Sequence, residues 1–178
     1  MDTKLKADVA EAAVTTELLK RGFRVLQPVG DRLPYDLGVD IAGGLTRIQV
    51  KSAWFDAKTK NYIVDARRTK TNRRRMLRER YSASDFDFAI IYVADLSVFY
   101  VMPVTVFSSY ESTVSLVETD KRQRKPKSAE FKERWDLLSG GLFNWKQLKD
   151  NLSNSVKPLE FINGNTEPSP LELIDGKV

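Results

Sequence analysis

The stretch Asp36-Leu-Gly-Val-Asp-Ile-Ala-Gly-Gly-Leu-Thr-Arg-Ile-Gln-Val-Lys-Ser52 contains two runs of alternating apolar and polar residues, separated by two glycines. Alternation with a period of two predicts strands that bury one face, here over residues 36–41 and 45–52. Gly43 and Gly44 fit a two-residue turn, because glycine readily adopts the positive φ angles that such turns need. The stretch therefore predicts an antiparallel β-hairpin in a sheet.

The predicted hairpin places polar residues of both strands on one face. With Gly43-Gly44 as the turn, Asp36 pairs with Lys51 and Gly38 pairs with Gln49. Residues directly opposite each other lie about 5 Å apart at Cβ. This register predicts that Asp36, Gln49 and Lys51 form one polar cluster at the open end of the hairpin.

Such a cluster suits phosphodiester hydrolysis. Carboxylate and amide oxygens can hold a hard divalent cation, which lowers the pKa of a bound water, and a lysine can stabilise developing negative charge. A second carboxylate from the first predicted helix, Glu11 or Glu17, would complete the site; Glu11 lies among alanines, which let a helix pack close to a sheet. The residues also allow a simpler interpretation, because Asp36 and Lys51 could form a surface ion pair contributing under about 1 kcal/mol.

Composition excludes several kinds of site. The chain contains neither histidine nor cysteine, which rules out histidine-based metal sites, serine–histidine triads, HNH-type nuclease sites and disulfides. A cysteine-free chain fits the cytoplasm, where we expect the protein to act. The charged segment from Met1 to Lys6 has no apolar stretch behind it, so no signal peptide is expected. The sequence contains no run of about 18 apolar residues, so no membrane span is expected.

Positive charge is concentrated in two segments. The net charge is +5, and residues 67–80 and 121–134 together carry 15 of the 29 lysines and arginines. Clustered basic residues indicate a polyanionic partner, although an isolated basic run is often only a solvated face. The two segments together predict a nucleic-acid-binding surface.

Periodicity and turn residues predict further elements along the chain. Helices are expected over residues 4–21, 103–109, 128–138 and 143–152, and strands over residues 23–28, 61–65, 86–93, 97–102 and 114–117.

Three features in sequence order resemble the PD-(D/E)XK nuclease signature. They are a predicted helix with an acidic residue, then Pro34-Tyr-Asp36, then Ile48-Gln-Val-Lys51. Longer stretches such as Val117-Glu-Thr-Asp-Lys-Arg-Gln-Arg-Lys-Pro126 resemble, more narrowly, the bacterial group I intron-encoded homing endonucleases of that fold. The resemblance covers about residues 1–138, which we expect to form an α/β endonuclease domain with a mixed central β-sheet flanked by helices. Residues 139–178 would form a C-terminal extension with a short helix and a flexible tail.

The resemblance also implies a catalytic set and its cofactor. Glu11, Asp36, Gln49 and Lys51 match the family's catalytic positions, and the first three match its ligands for Mg²⁺ or Mn²⁺. Gln49 occupies a position that is usually acidic in the wider class, so metal affinity would depend more on Asp36. The implied partners are double-stranded DNA and further copies of the chain, as a homotetramer or a dimer.

Candidate DNA-binding residues come from the two basic segments. Guanidinium groups suit phosphates and guanine edges, and asparagine suits adenine. The candidates are Arg67, Arg68, Lys70, Asn72, Arg73, Arg74, Arg75, Lys121, Arg122, Arg124 and Lys125. Arg78 and Arg80 fit either DNA contact or structural pairing with Glu79 or Asp85.

Three functions are compatible with these features. The first is a sequence-specific, metal-dependent endonuclease of double-stranded DNA, of the homing type. The second is a structure-specific nuclease resembling Holliday junction resolvases, which share the fold and a basic face. The third is a catalytically inactive DNA-binding protein. The substrate that is cut distinguishes the first two, and metal-dependent cleavage distinguishes both from the third.

Overall fold

The structure, a computed structural model, describes residues 2–30, 32–71, 76–118 and 126–139. Its helices and strands, numbered in chain order, are α1 (Thr3–Lys20), β1 (Arg24–Leu26), β2 (Leu37–Ile41), β3 (Gly44–Ser52), β4 (Trp54–Asp56), β5 (Asn61–Asp65), β6 (Arg67–Thr71), β7 (Met76–Arg80), β8 (Phe88–Val93), β9 (Val98–Pro103), α2 (Val104–Phe107) and β10 (Thr113–Leu116), followed by a 3-10 helix at Lys127–Phe131. No helix in these ranges is long and apolar enough to cross a membrane.

The central sheet has five strands in the order β1-β2-β3-β8-β9. The β3 strand runs antiparallel to β2 and parallel to β8, and the other neighbouring pairs are antiparallel. The predicted α/β fold with a mixed central sheet is therefore confirmed. Because β3 lies between two neighbours, the side chains it carries are held on a rigid element.

Helix α1 covers one face of this sheet. Its buried residues, Ala10, Val14 and Leu18, recur every four positions and form one stripe. They belong to a core cluster that includes Ile48 and Val50 of β3. The helix ends at Lys20, one residue before the predicted end, and Gly22 adopts a positive φ of 80° just after the last turn.

The opposite face is covered by a second layer. A three-stranded sheet of order β10-β5-β4 contributes Val64 and Val114 to a second core cluster, and α2 contributes Phe107. Tyr81 and Phe86, from the segment between β7 and β8, complete the aromatic part of this cluster, with ring centroids 4.9 Å apart.

The β2–β3 hairpin forms as predicted, but its register is not the predicted one. Ile41 pairs with Gly44, so the turn consists of Ala42 and Gly43, with φ values of 50° and 80°. The backbone N–H of Gly43 also donates a 3.1 Å hydrogen bond to the Asp40 carboxylate. That bond stabilises a turn one residue earlier than the glycine pair indicated.

The shifted turn changes partners without changing faces. Gly38 pairs with Arg47 instead of Gln49, and continuing the register places Asp36 beside Gln49 instead of Lys51. A slip of two residues keeps each side chain on the same side of a strand, whereas a slip of one would exchange the sides. The predicted polar face therefore survives the error in register.

The prediction of a helix over residues 128–138 is wrong. A 3-10 helix occupies Lys127–Phe131, Lys132 forms a β-bridge with Tyr100, and helical structure returns only at residues 136–139. Glu133 interrupts the segment with a φ of 53°, and its backbone N–H donates to the Phe99 carbonyl at 2.8 Å. Pairing with β9 thus overrides local helix propensity. The helix predicted over 143–152 and the tail lie outside the described residues.

Candidate active site

Asp36 lies immediately before β2 and reaches across to β3. Its backbone N–H donates to the Ile48 carbonyl at 2.9 Å, which continues the hairpin by one residue. Its Oδ2 accepts a 2.7 Å hydrogen bond from the Val50 backbone N–H and another from Gln49 Nε2. The hairpin therefore holds this carboxylate against the side chain of Gln49, which is 9% exposed.

Lys51 projects from β3 two residues beyond Gln49. Its Nζ donates a 2.7 Å hydrogen bond to the hydroxyl of Tyr81 and lies 4.9 Å from the centroid of that ring. Burial lowers the pKa of Lys51 from its ordinary value, although the nearby carboxylates of Asp36 and Asp65 act in the opposite direction.

Glu11 brings a second carboxylate to the same place. It lies on α1 and lines a cleft of about 450 Å³ together with Asp36, Gln49 and Lys51. The other helix candidate, Glu17, is instead paired with Arg21 at 2.9 Å. The packing of α1 on the sheet therefore selects Glu11 as the helix acid beside the cleft.

The two carboxylates of the cleft lie in an environment that disfavours their charge. Burial raises the pKa of Glu11, and the negative charges of Asp36 and Asp8 raise it further. Burial also raises the pKa of Asp36, although the Val50 N–H, Lys51 and Gln49 act in the opposite direction. A divalent cation held by these carboxylates would offset this penalty by stabilising their charged forms.

The donor atoms fit a hard cation such as Mg²⁺. Within the described ranges, no group of three or more histidine, cysteine, aspartate or glutamate residues could hold a metal ion. A cation in the cleft would therefore use the carboxylates of Glu11 and Asp36 and, as a third ligand, the amide oxygen of Gln49. Nε2 of Gln49 is already engaged with Asp36 and with the Val50 carbonyl at 3.3 Å, which leaves Oε1 for the metal.

The first basic segment forms a two-stranded antiparallel unit of β6 and β7, which we call the basic hairpin. Arg67 and Arg68 lie at its base beside acidic residues. Arg67 Nε is 3.5 Å from the Asp65 carboxylate, and the Arg68 guanidinium is 4.0 Å from Asp85. About 30% of each arginine side chain is exposed, so both have a structural partner as well as access to solvent.

Arg78 and Arg80 lie on β7 and are more exposed. Arg78 is 3.9 Å from Asp65 with half of its side chain exposed, and Arg80 is 3.9 Å from Glu111 with 60% exposed. Exposed ion pairs of this length contribute little to stability. These arginines can therefore exchange their partners for phosphate groups at small cost.

The remaining DNA-binding candidates are not tested by the structure. Lys70 is described only through its backbone, which pairs with Leu77 in the basic hairpin. The other candidates, Asn72, Arg73, Arg74, Arg75, Lys121, Arg122, Arg124 and Lys125, lie outside the described residues.

Two long-range contacts of β3 side chains were not predicted. Tyr81 contacts Lys51 across 30 residues of sequence. Arg47 donates to the Asp87 carboxylate and to the carbonyls of Ala83 and Ser84, which connects β3 with the segment that follows the basic hairpin. No local pattern reveals either contact, since both depend on the parallel pairing of β3 with β8.

Comparison with known proteins agrees with this architecture. A family model described as PD-(D/E)XK endonuclease matches residues 1–138. No curated protein matches the chain. Among solved structures, that of a bacterial homing endonuclease, I-Ssp6803I, is 53% identical, with a TM-score of 0.77, and the match covers 82% of this chain and 99% of that one. Because the family model matches residues 1–138 and a solved structure is 53% identical, the chain belongs to the PD-(D/E)XK endonuclease family.

Proposed function

We propose that this endonuclease uses a divalent metal ion to cut double-stranded DNA at a defined sequence, as a homing-type enzyme. The observation that carries the proposal is the meeting of Glu11, Asp36, Gln49 and Lys51 around one cleft. A similar protein, 53% identical, is a bacterial homing endonuclease. The exposed arginines of the basic hairpin supply positive charge for a polyanionic substrate.

Glu11, Asp36 and Gln49 would hold the metal ion, Mg²⁺ or Mn²⁺. When bound, the ion would offset phosphate charge and lower the pKa of a water ligand. The protein's own contribution is to preorganise the ligands, since the Val50 N–H and the Gln49 amide both hold the Asp36 carboxylate in place. A metal site whose ligands are fixed by such surrounding hydrogen bonds needs little rearrangement on binding.

Lys51 would stabilise the negative charge that develops on the phosphate during hydrolysis. Its ammonium is partly buried, and a charge in a poorly hydrated cleft interacts more strongly with a reacting group than one in water. Burial lowers the pKa of Lys51, and the Asp36 and Asp65 carboxylates act against this shift by favouring the ammonium form. In that form the lysine would act as a positive charge beside the scissile phosphodiester.

The wider organisation of the enzyme is part of the same proposal. Residues 1–138 would form the endonuclease domain, and residues 139–178 a C-terminal extension. A homotetramer would let two subunits reach the two cut positions of a near-palindromic site. We place the protein in the cytoplasm, in keeping with a chain that contains no cysteine.

The test is cleavage of a randomised duplex library and of a fixed four-way junction in the presence of Mg²⁺. The parent protein and Lys51→Ala are compared, with Lys20→Ala as a control that removes an exposed lysine at the far end of α1. Discrete double-strand cuts within one extended sequence, lost only in Lys51→Ala, are expected.

Other outcomes would contradict the proposal. Cleavage of the junction alone would identify a junction resolvase. Binding without cleavage of either substrate would identify a DNA-binding protein. Cleavage by Lys51→Ala at the parental rate would show that the active site has been misassigned.

A further inference from the structure

Tyr81 is the immediate partner of the active-site lysine, although nothing in the nuclease signature includes it. Its hydroxyl accepts the 2.7 Å hydrogen bond from Lys51 Nζ. The residue is 6% exposed, and its ring lies 4.9 Å from that of Phe86 and 6.1 Å from that of Phe107, measured between centroids. Aromatic packing therefore fixes the hydroxyl at one position beside the cleft.

A lysine side chain needs such a partner if its ammonium is to stay in one place. Holding a lysine side chain in one conformation costs rotamer entropy, so the ammonium stays in place only if a partner compensates for that cost. Around Lys51, the carboxylates of Asp36 and Asp65 attract the ammonium and the Arg68 guanidinium repels it. A hydrogen bond to either acid would neutralise the charge that the reaction uses. Tyr81 instead offers a neutral acceptor that holds Nζ without neutralising it.

The phenol is also well suited to remain neutral. Burial raises the pKa of Tyr81 far above its ordinary value, and the negative charges of Asp36, Asp85 and Asp65 act in the same direction, against Arg68. At neutral pH the hydroxyl is thus an uncharged hydrogen-bonding group.

The position of Tyr81 in the chain connects Lys51 with the basic hairpin. It directly follows Arg80, the last residue of β7, so the strand that presents Arg78 and Arg80 to solvent ends at the lysine's partner. We propose that Tyr81 is a positioning residue, which orients the Lys51 ammonium toward the cleft from the base of the basic hairpin. This inference rests on the proposed nuclease function.

The test separates DNA binding from cleavage. Tyr81→Phe removes only the hydroxyl and keeps the ring that packs against Phe86 and Phe107. The substrate is a duplex recovered from the library cleavage, and the two readouts are the dissociation constant without metal and the single-turnover rate with Mg²⁺. We expect the rate on bound DNA to fall roughly 10- to 100-fold, with the dissociation constant unchanged.

Tyr100→Phe is the matched control. Tyr100 belongs to the same buried cluster, but its hydroxyl donates to the Glu118 carboxylate and makes no hydrogen bond with Lys51. It should cut at the parental rate. A parental rate in Tyr81→Phe, or an equal loss of rate in the two variants, would overturn the inference.

The Lys51→Ala background distinguishes failure of the inference from failure of the proposed function. If Tyr81 acts through Lys51, adding Tyr81→Phe to Lys51→Ala should not lower the residual rate further. A further loss of similar size would mean that Tyr81 does not act through Lys51. Parental cleavage by Lys51→Ala would overturn both the inference and the assigned site, whereas an inactive Lys51→Ala beside a fully active Tyr81→Phe would overturn the inference alone.

Discussion

The cleft of the candidate active site and the basic hairpin both contain charged side chains, but the two regions hold these side chains in opposite ways. In the cleft, Asp36 and Lys51 are partly or largely buried, and each makes short hydrogen bonds to protein groups. On the hairpin, Arg78 and Arg80 are at least half exposed, with ion pairs of 3.9 Å. Buried charges act strongly over short distances, whereas exposed ones act weakly and are screened by salt. Substitutions in the cleft should therefore change the cleavage rate, and those on the hairpin the DNA affinity.

The largest expected effect is that of Asp36→Ala. It removes the carboxylate that links β2 to Gln49 and that would bind the metal ion, so we expect cleavage to fall by at least about a thousandfold. DNA binding measured without metal should be retained, because no positive charge is lost. Asp40→Ala, at the turn of the same hairpin, is the control and should still cut. Loss of binding together with cleavage in Asp36→Ala would remove the distinction between the two regions.

Arg78→Ala combined with Arg80→Ala should show the reverse behaviour. The slope of log affinity against log salt is negative and becomes shallower by about 0.9 for each lost phosphate contact, so the double variant should bind more weakly, with a slope shallower by about 2. The cleavage rate of fully bound DNA should not change. The control is Lys20→Ala with Arg24→Ala, which removes the same charge from α1 and the edge strand β1. An unchanged salt slope would exclude these arginines from the phosphate contacts.

Arg47→Met tests the connection between β3, which carries Gln49 and Lys51 of the cleft, and the segment that follows the basic hairpin. The substitution leaves the Asp87 carboxylate and the carbonyls of Ala83 and Ser84 without their guanidinium donor. We expect the free energy of unfolding, measured in urea, to fall by about 1–3 kcal/mol. Arg24→Met, whose side chain is 84% exposed and 3.8 Å from Asp40, should change it little. Equal stability in the two variants would mean that Arg47 does not fasten β3 to the segment after the hairpin.

The smallest effect is expected from Glu11→Gln in the metal-free protein. The pKa of Glu11 is raised in the folded state, so its ionisation destabilises the fold as pH rises through and above the unfolded pKa. Glu11→Gln should therefore unfold at a slightly higher temperature than the parent near pH 7 in EDTA. The difference should disappear at a pH below the unfolded pKa, where Glu11 is protonated in both states. Glu17→Gln, which loses its pairing with Arg21, should not be stabilised.

What could be predicted from the sequence is the face on which each residue lies. Alternation in the stretch 36–52 correctly groups Asp36, Gln49 and Lys51, because the period of a strand does not depend on its partners. The register could not be read correctly, since two adjacent glycines offered two turns and the hydrogen bond from Gly43 to Asp40 favours the earlier one.

Contacts between distant parts of the chain could not be predicted from such local patterns. The partnership of Lys51 with Tyr81 and that of Arg47 with Asp87 arise only when β3 pairs with β8. The segment around Glu133 is a further example, because its hydrogen bonds to Phe99 replace the helix that local propensity favoured. Strand period is local, whereas pairing partners and tertiary hydrogen bonds are properties of the finished fold.

The parallel pairing of β3 with β8 joins residues 48–52 to residues 88–92. Contacts so far apart in the chain form slowly, because the intervening segment must be closed before any of them is gained. During synthesis, a chain that ended before Phe88 would already carry Asp36, Gln49 and Lys51 but could not enclose them between β2 and β8. The β3–β8 pairing thus forms only after about half of the 178 residues have been made, and a shorter chain would carry the candidate site residues without the sheet that positions them.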